Sequence, residues 1–101
     1  MKYYVTVALT MKDDAWVGDY LTNVTELVHK FGGKYLARTG NIEHLEGTAE
    51  PVNLQVVIEW PSKDAAESFY NDPAYRPYRD ARQAGSDSEL YLVAGEDIAA
   101  G

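Results

Sequence analysis

The 101-residue chain contains no cysteine, which excludes disulfide bonds and thiolate chemistry. It is also poor in basic residues: nine Lys and Arg stand against sixteen Asp and Glu, so the formal net charge at pH 7 is −7. Nucleic-acid binding needs a basic surface, which this balance argues against. No apolar run approaches the roughly 20 residues of a membrane span, and a strand pattern begins at Tyr3 without a signal-peptide stretch before it. We therefore expect a cytoplasmic protein that contacts neither nucleic acid nor membrane.

Histidine is scarce as well, and this bears on metals and cofactors. His29 and His44 are the two histidines, they lie on different predicted elements, and neither belongs to a spacing typical of metal ligands. Gly32-Gly33 follows a helix pattern and precedes a strand pattern, whereas a phosphate-binding glycine turn has the opposite order. The sequence therefore predicts no metal and no cofactor.

Apolar periodicity predicts four strands and three helical segments. Alternating apolar residues indicate strands at 2–10, 34–39, 54–60 and 89–94, with 42–45 continuing the second strand after a kink. An apolar stripe of helical spacing runs from Val17 to Phe31, with Asp13 and Asp14 as the predicted N-terminal cap and the two glycines as the stop. Ser62 is a predicted N-cap for a second helix, Asp72-Pro73 interrupts that helix, and another helical piece runs over 74–84.

The order β-α-β-β-α-β predicts an α+β, ferredoxin-like domain over residues 1–95, followed by a short acidic tail at 96–101. Right-handed crossovers place both helical layers on one face of a four-stranded antiparallel sheet. The second face then carries Tyr4, Thr6, Ala8, Gln55, Val57, Glu59, Tyr91 and Val93. This set is too apolar for open water, so we expect a homodimer that packs sheet to sheet.

Four ordered segments carry a resemblance to a known family. They are Gly32-Gly33-Lys34-Tyr35-Leu36-Ala37-Arg38, Leu45-Glu46-Gly47, Ile58-Glu59-Trp60-Pro61-Ser62 and Phe69-Tyr70-Asn71-Asp72-Pro73-Ala74-Tyr75, followed by Arg82. Together they resemble the domain of unknown function 1330 family over about residues 4–95. The resemblance implies a ferredoxin-like fold of the dimeric α+β barrel group and brings no established activity. Neighbouring families in that group include cofactor-free monooxygenases, lactone isomerases, haem-dependent enzymes and stress-response dimers.

Arg38 and Glu59 are the first candidates for chemistry. If Leu36 and Arg38 share the second sheet face, Arg38 lies near Glu59 on the neighbouring strand. Arg38 would then bind a substrate carboxylate or stabilise an enolate, while Glu59 moves a proton. The alternative is a structural ion pair that holds the strands or the dimer in register.

His44 is the second candidate, because a histidine titrates near neutral pH and can act as a general base. The alternative is a partly exposed histidine at a sheet edge without a role in catalysis.

An aromatic and basic group later in the chain is a candidate substrate contact. Tyr70, Tyr75 and Arg82 could line the mouth of a pocket for a flat organic ligand. Trp60 is expected as a core or interface anchor, or as a ring that stacks on the ligand. The alternative is packing in the core or a lid, with the arginines on a solvated face.

Two functions fit these residues. The first is a cofactor-free enzyme, of the isomerase or monooxygenase type, that acts on a small anionic or phenolic organic molecule. The second is a non-catalytic dimer that binds a metabolite or another protein. They differ in whether Arg38, Glu59 and His44 converge on a cavity or on each other.

Overall fold

The computed structural model describes residues 1–100, which form four strands and three helices. The elements are β1 (Tyr3–Met11), α1 (Val17–Lys30), β2 (Lys34–Thr39), β3 (Leu54–Trp60), α2 (Lys63–Tyr70), α3 (Arg76–Gly85) and β4 (Ser86–Ala94). The strands form one antiparallel sheet in the order β2-β3-β1-β4. The predicted α+β, ferredoxin-like fold is confirmed, with the helices on one side of the sheet.

The core lies between the helices and one face of the sheet. Its buried members from the helical side are Val24, Val28, Ala66, Phe69 and Tyr75, and those from β3 are Val56, Ile58 and Trp60. Removal of these apolar side chains from water is the main stabilisation of this layer. The register of β1 with β3 and β4 places Thr6 opposite Val57 and Tyr91, so the predicted composition of the second face is confirmed.

The helix caps agree with the sequence in part. Ser62 accepts a hydrogen bond from the Ala65 amide at 3.1 Å, as an N-cap does. Gly32 has φ = +90°, a conformation that favours glycine, and it follows the end of α1 as predicted. The predicted start of α1 at Asp13 and Asp14 is wrong, because the helix begins at Val17. The Asp13 carboxylate instead accepts a hydrogen bond from the Ala15 amide within a turn.

The end of α3 joins β4 without a loop, which differs from the predicted strand start at residue 89. Ser86 already pairs with Met11, and the Gly85 carbonyl accepts hydrogen bonds from the Lys12 and Asp13 amides. A Cβ at Gly85 would overlap the Trp16 indole, so only glycine allows α1 and α3 to approach this closely. Pro77 lies in the first turn of α3, where a missing amide proton does not break the helix.

Residues 40–53 form a loop between β2 and β3, so the predicted continuation of β2 over 42–45 is wrong. The Asn53 amide donates to the Leu9 carbonyl, and its side-chain oxygen accepts from the Met11 amide. These bonds bring the chain back beside β1 at the start of β3.

A bulge in β2 changes the face on which Arg38 lies. Tyr35 pairs with Ile58, but the register then shifts so that Ala37 pairs with Val57 and Arg38 with Val56. One extra residue on one strand reverses the side-chain alternation beyond it. Arg38 is therefore on the helix side of the sheet.

No helix within residues 1–100 combines the length and apolar character that crossing a membrane requires.

Candidate functional site

An apolar cavity of about 80 Å³ lies between the sheet and the helices. Its walls are mostly aliphatic and aromatic side chains from α1, α2 and all four strands, among them Val5, Val7, Leu9, Val24, Leu54, Val56, Phe69 and Leu90, and α3 contributes Arg82. Val5 and Val7 belong to the second strand from one edge of the sheet and face the helices, yet both are only half-buried. The helical layer therefore leaves this part of the sheet incompletely covered. Polar atoms reach the cavity at a few places only, which is the usual composition of a small-molecule site.

Arg82 is the charged group buried in this wall. It lies in the last turn of α3 and is 2% exposed. Its Nη1 donates to the Ser88 hydroxyl, whereas its Nε and Nη2 have no hydrogen-bond partner among residues 1–100. Burial lowers the pKa of Arg82, but the neighbouring Tyr75 and Tyr20 more than offset it, so the pKa stays above its usual value. The result is a buried cation beside an apolar cavity, with the Tyr20 and Tyr75 hydroxyls close by and two N–H donors that have no well-formed hydrogen bond within residues 1–100. This arrangement suits an anion.

Two tyrosines stand next to this cation. The hydroxyls of Tyr20 on α1 and Tyr75 before α3 are 2.9 Å apart and share a hydrogen bond, and both residues line the cavity. Burial raises the pKa of Tyr20 well above its ordinary value of 10.0, and the Tyr75 hydroxyl raises it further, while Arg82 lowers it. Tyr20 is therefore a neutral hydrogen-bond donor at physiological pH, and a poor base.

Arg38 lies at the opposite side of the cavity, on β2. Its guanidinium is 3.8 Å from the centre of the Tyr35 ring, and its Nη1 donates to the Thr25 hydroxyl at 2.7 Å. Burial raises the pKa of Tyr35, although the nearby Arg38 guanidinium lowers it. Because Arg38 is exposed at one end of the cavity and Arg82 is buried at another, the site has two cations of different accessibility.

The structure brings together three of the four predicted substrate contacts. Tyr70, Tyr75 and Arg82 all line the cavity, and the Tyr70 and Tyr75 rings are 6.0 Å apart. Trp60 is fully buried against Phe69, with ring centroids 5.2 Å apart, and is not among the cavity-lining residues. Its place is in the core, as in the packing alternative.

The predicted catalytic residues do not converge. Glu59 lies on the second sheet face, where its carboxylate pairs with Lys2 Nζ at 2.7 Å, and this pairing lowers the pKa of Glu59. The predicted proximity of Arg38 to Glu59 is wrong, because the bulge turns Arg38 to the helix side. His44 is exposed in the loop at residues 40–53, with its Nε2 2.9 Å from the Glu46 carbonyl.

The cavity wall, as far as residues 1–100 form it, contains no His, Asp or Glu. Within the same residues, no group of three or more metal-ligating side chains is close enough to hold a metal ion. What the cavity offers chemically is apolar contact, tyrosine hydroxyls and the positive charges of Arg38 and Arg82.

Two members of the site, Tyr20 and Ser88, were missed from the sequence. Tyr20 lies in the apolar stripe of α1, where it reads as an ordinary core residue. Its hydroxyl was the feature that could have indicated a role in the site, because a buried tyrosine in such a stripe needs a polar hydrogen-bond partner. Ser88 was missed because β4 was predicted to begin one residue later.

The raised pKa of Tyr20 predicts a loss of stability at alkaline pH. Tyr20 ionises in the unfolded chain near pH 10 but stays protonated in the folded protein. Its contribution is therefore fully present below pH 10 and decreases as the pH rises toward the folded pKa, by about 1.4 kcal/mol per pH unit. Urea unfolding of wild type and Tyr20→Phe between pH 8 and 11.5 measures this. We expect a shallower alkaline decline in Tyr20→Phe, with exposed Tyr91→Phe as the control; equal slopes would contradict the assignment.

Comparisons with known proteins agree with this fold. The family model described as "Domain of unknown function (DUF1330)" matches residues 2–96. A protein of unknown function from Rhodopseudomonas palustris has 19% identity and a TM-score of 0.81, covering 95% of this chain and 83% of its own. The cofactor-independent oxygenase SnoaB from Streptomyces nogalater has 19% identity and a TM-score of 0.64, covering 99% and 98%. A dimeric ferredoxin-like protein of unknown function from Jannaschia sp. CCS1 has 11% identity and a TM-score of 0.68, covering 93% and 99%.

These identities show a shared fold and no more. No curated protein matches the chain in sequence.

Proposed function

The chain belongs to the DUF1330 family, a family of unknown function, and we propose from the cavity that it binds a small organic anion. The observation that carries the proposal is Arg82, which is 2% exposed and has two N–H donors without a hydrogen-bond partner in the described part of the chain. A buried charge of this kind costs several kcal/mol unless a counter-charge meets it. A carboxylate, enolate or phenolate oxygen would accept those donors and offset the penalty.

As an enzyme, the protein would stabilise the anionic form of its substrate. A CH₂ group activated by neighbouring carbonyl or aromatic groups loses a proton to solvent, and Arg82 holds the resulting enolate charge. The carbanion then reduces dioxygen: a C–O bond forms, the hydroperoxide loses water, and R₂CH₂ + O₂ gives R₂C=O + H₂O without a cofactor. The similarity in fold to a cofactor-independent oxygenase is consistent with this chemistry. Protonation of the enolate at another carbon would give isomerisation instead.

Arg38 has a supporting role in this proposal. It stands at the exposed side of the cavity, where a second acceptor of the ligand can meet its guanidinium. Glu59 and His44, which lie outside the cavity, have no place in the binding step proposed here.

The proposed active form is a homodimer in the cytoplasm. The second sheet face carries exposed Tyr91 and Val93 beside half-buried Val57, and a face of this composition favours a partner. One structural neighbour is itself a dimeric ferredoxin-like protein. The cysteine-free composition fits a reducing compartment.

One observation favours the alternative, a dimer that binds a metabolite without turning it over. The described part of the cavity wall lacks a His, Asp or Glu that could take a proton from the ligand. Oxygen consumption and recovery of the compound together separate the two functions. An oxygenase takes up one O₂ for each activated CH₂ compound consumed, and an isomerase converts the compound with no uptake of O₂, so recovery of the compound is measured in the same samples. A carrier protein binds the compound and leaves both the compound and the dissolved oxygen unchanged.

Hexanoate and hexanamide test the binding proposal, because they have similar shape and differ in charge. In NMR titrations of the full chain, we expect hexanoate to bind at least tenfold more tightly, in line with about 1.5–3 kcal/mol for a charged hydrogen bond. The largest shift changes should be at Ser88 and the Arg82 Nε–H. Equal affinities, or shift changes confined to the second sheet face, would overturn the proposal.

A further inference from the structure

The cavity alone is too small for most organic acids. Its volume of about 80 Å³ is well below the roughly 150 Å³ of a protein cavity that holds benzene. A carboxylate or enolate head fits beside Arg82 with a few further atoms. The remainder of a larger ligand must leave the cavity along some path.

A groove between α2 and β4 supplies that path. It has a volume of about 360 Å³ and shares four lining residues with the cavity: Val5, Ala66, Tyr70 and Leu90. The two spaces therefore adjoin at these four side chains. The groove is more open than the cavity, and its far part is lined by Leu92, Tyr91, Lys63, Glu67 and Asn71.

The order of residues along β4 gives the direction and length of this path. Ser88, Leu90 and Leu92 occupy alternate positions on the helix side of the strand, opposite Leu9, Val7 and Val5 of β1. Arg82 is bonded to Ser88, so the cation lies at one end and the groove extends toward Leu92. Four residues of strand span about 13 Å. At roughly 1.3 Å of advance per carbon–carbon bond, this length matches a chain of about ten carbons.

The groove is apolar where it leaves the cavity and polar at its far end. Leu90, Ala66 and Val5 offer hydrocarbon near the cavity. At the far end, Lys63 and Glu67 form an ion pair at 3.9 Å along α2. This gradient suits a ligand with an anionic head, an apolar body and an end that reaches water.

Resting on the proposed function, we infer that the ligand is an elongated amphipathic acid with an apolar chain of about eight to ten carbons. Its acidic head meets Arg82 in the cavity, and its chain lies along Leu90 and Leu92 in the groove between α2 and β4. Tyr70 stands where the two spaces join and contacts the chain as it turns from one into the other.

Straight-chain carboxylates from C4 to C12, titrated into the full chain below their micelle concentrations, test this inference. Each added methylene that enters the groove should tighten binding roughly fourfold. The affinity should increase up to about C10 and then remain constant, because any further carbons extend beyond the groove into water. Equal affinities for butanoate and decanoate would overturn the inference and leave the proposed function standing.

A variant in the groove provides the second test. Leu92 is 38% exposed, so Leu92→Glu is compatible with folding, and its carboxylate would oppose an apolar chain. We expect Leu92→Glu to abolish the increase in affinity for carboxylates longer than about C6 and to leave butanoate binding unchanged. Leu45→Glu, a change at an exposed loop position, is the matched control and should bind like wild type. If the affinity of Leu92→Glu still increases with carboxylate length, the hydrocarbon chain of the ligand does not lie along Leu92. If the wild-type protein binds none of the carboxylates, the proposed function itself is overturned.

Discussion

Arg82→Met should make the unliganded protein more stable and weaken its binding of organic acids. Arg82 is 2% exposed, and its Nε and Nη2 lack partners within residues 1–100, so its charge is buried without full compensation. Methionine keeps an unbranched stem of similar width and removes the charge. Replacement of poorly compensated buried charges by apolar residues can stabilise a protein by about 1–4 kcal/mol. We expect the free energy of unfolding to increase by an amount near the lower end of this range, because the hydrogen bond to Ser88 is lost.

Thermal unfolding and acid titration measure the two effects. A gain of about 1 kcal/mol raises the Tm of a domain of this size by roughly 4–8 °C. The affinity for hexanoate should decrease by about 10- to 100-fold, which corresponds to the loss of one charged hydrogen bond. Arg76→Met on the same helix is the control, because Arg76 is exposed and does not line the cavity, and it should change neither quantity by much. An Arg82→Met protein that is less stable and binds hexanoate normally would assign Arg82 a structural role.

The opposite signs of these effects follow from a general property of binding sites. A group that the folded protein leaves unsatisfied reduces stability until a ligand satisfies it. Trp60 gives a useful contrast in the same structure. Within residues 1–100 its indole nitrogen also lacks a partner, but it is neutral, it is packed against Phe69, and it does not line the cavity described above. Among residues 1–100, Arg82 alone combines full charge, deep burial and contact with the cavity.

The sheet and its two faces were predictable because β1 and β3 alternate regularly. Val5, Val7 and Leu9 lie on the helix side, and the intervening residues lie on the other, as their spacing predicts. The position of Arg38 was not predictable in the same way. A bulge at Leu36 inserts one residue into β2 and leaves no mark in the hydrophobic pattern. The face of every later residue in the strand depends on it.

The depth of Arg82 was also beyond the sequence pattern. The residue was predicted as a ligand contact from its place among Tyr70 and Tyr75, and it lines the cavity with them. Its burial depends on the approach of α3 to the start of α1, where Trp16 Nε1 donates to the Gly85 carbonyl at 3.3 Å. Such a contact between residues 69 positions apart is set by tertiary packing, which local periodicity does not contain.

Val57→Asp should convert the proposed homodimer into monomers. Val57 lies on the second sheet face between Thr6 of β1 and Ala37 of β2, at the middle of the surface that we propose as the interface. In a twofold dimer the substitution places two carboxylates in the same interface, where each would be desolvated and each would repel the other. The chain already carries a net charge of −7, which adds to the repulsion.

We expect the dissociation constant of the dimer to increase at least about a hundredfold, equivalent to about 2.8 kcal/mol. Sedimentation equilibrium over a range of protein concentrations measures it. Tyr91→Asp, at a position that is 61% exposed in the single chain, provides a second variant in case an aspartate in β3 impairs folding. Leu45→Asp, at an exposed position in the loop, changes the net charge equally and should leave the assembly unaffected. If both sheet variants sediment as wild type does, the partner of this face is something other than a second copy, or the face has no partner. The proposed site for the acidic head would be untouched by that result, because Arg82 and the cavity lie on the opposite side of the sheet.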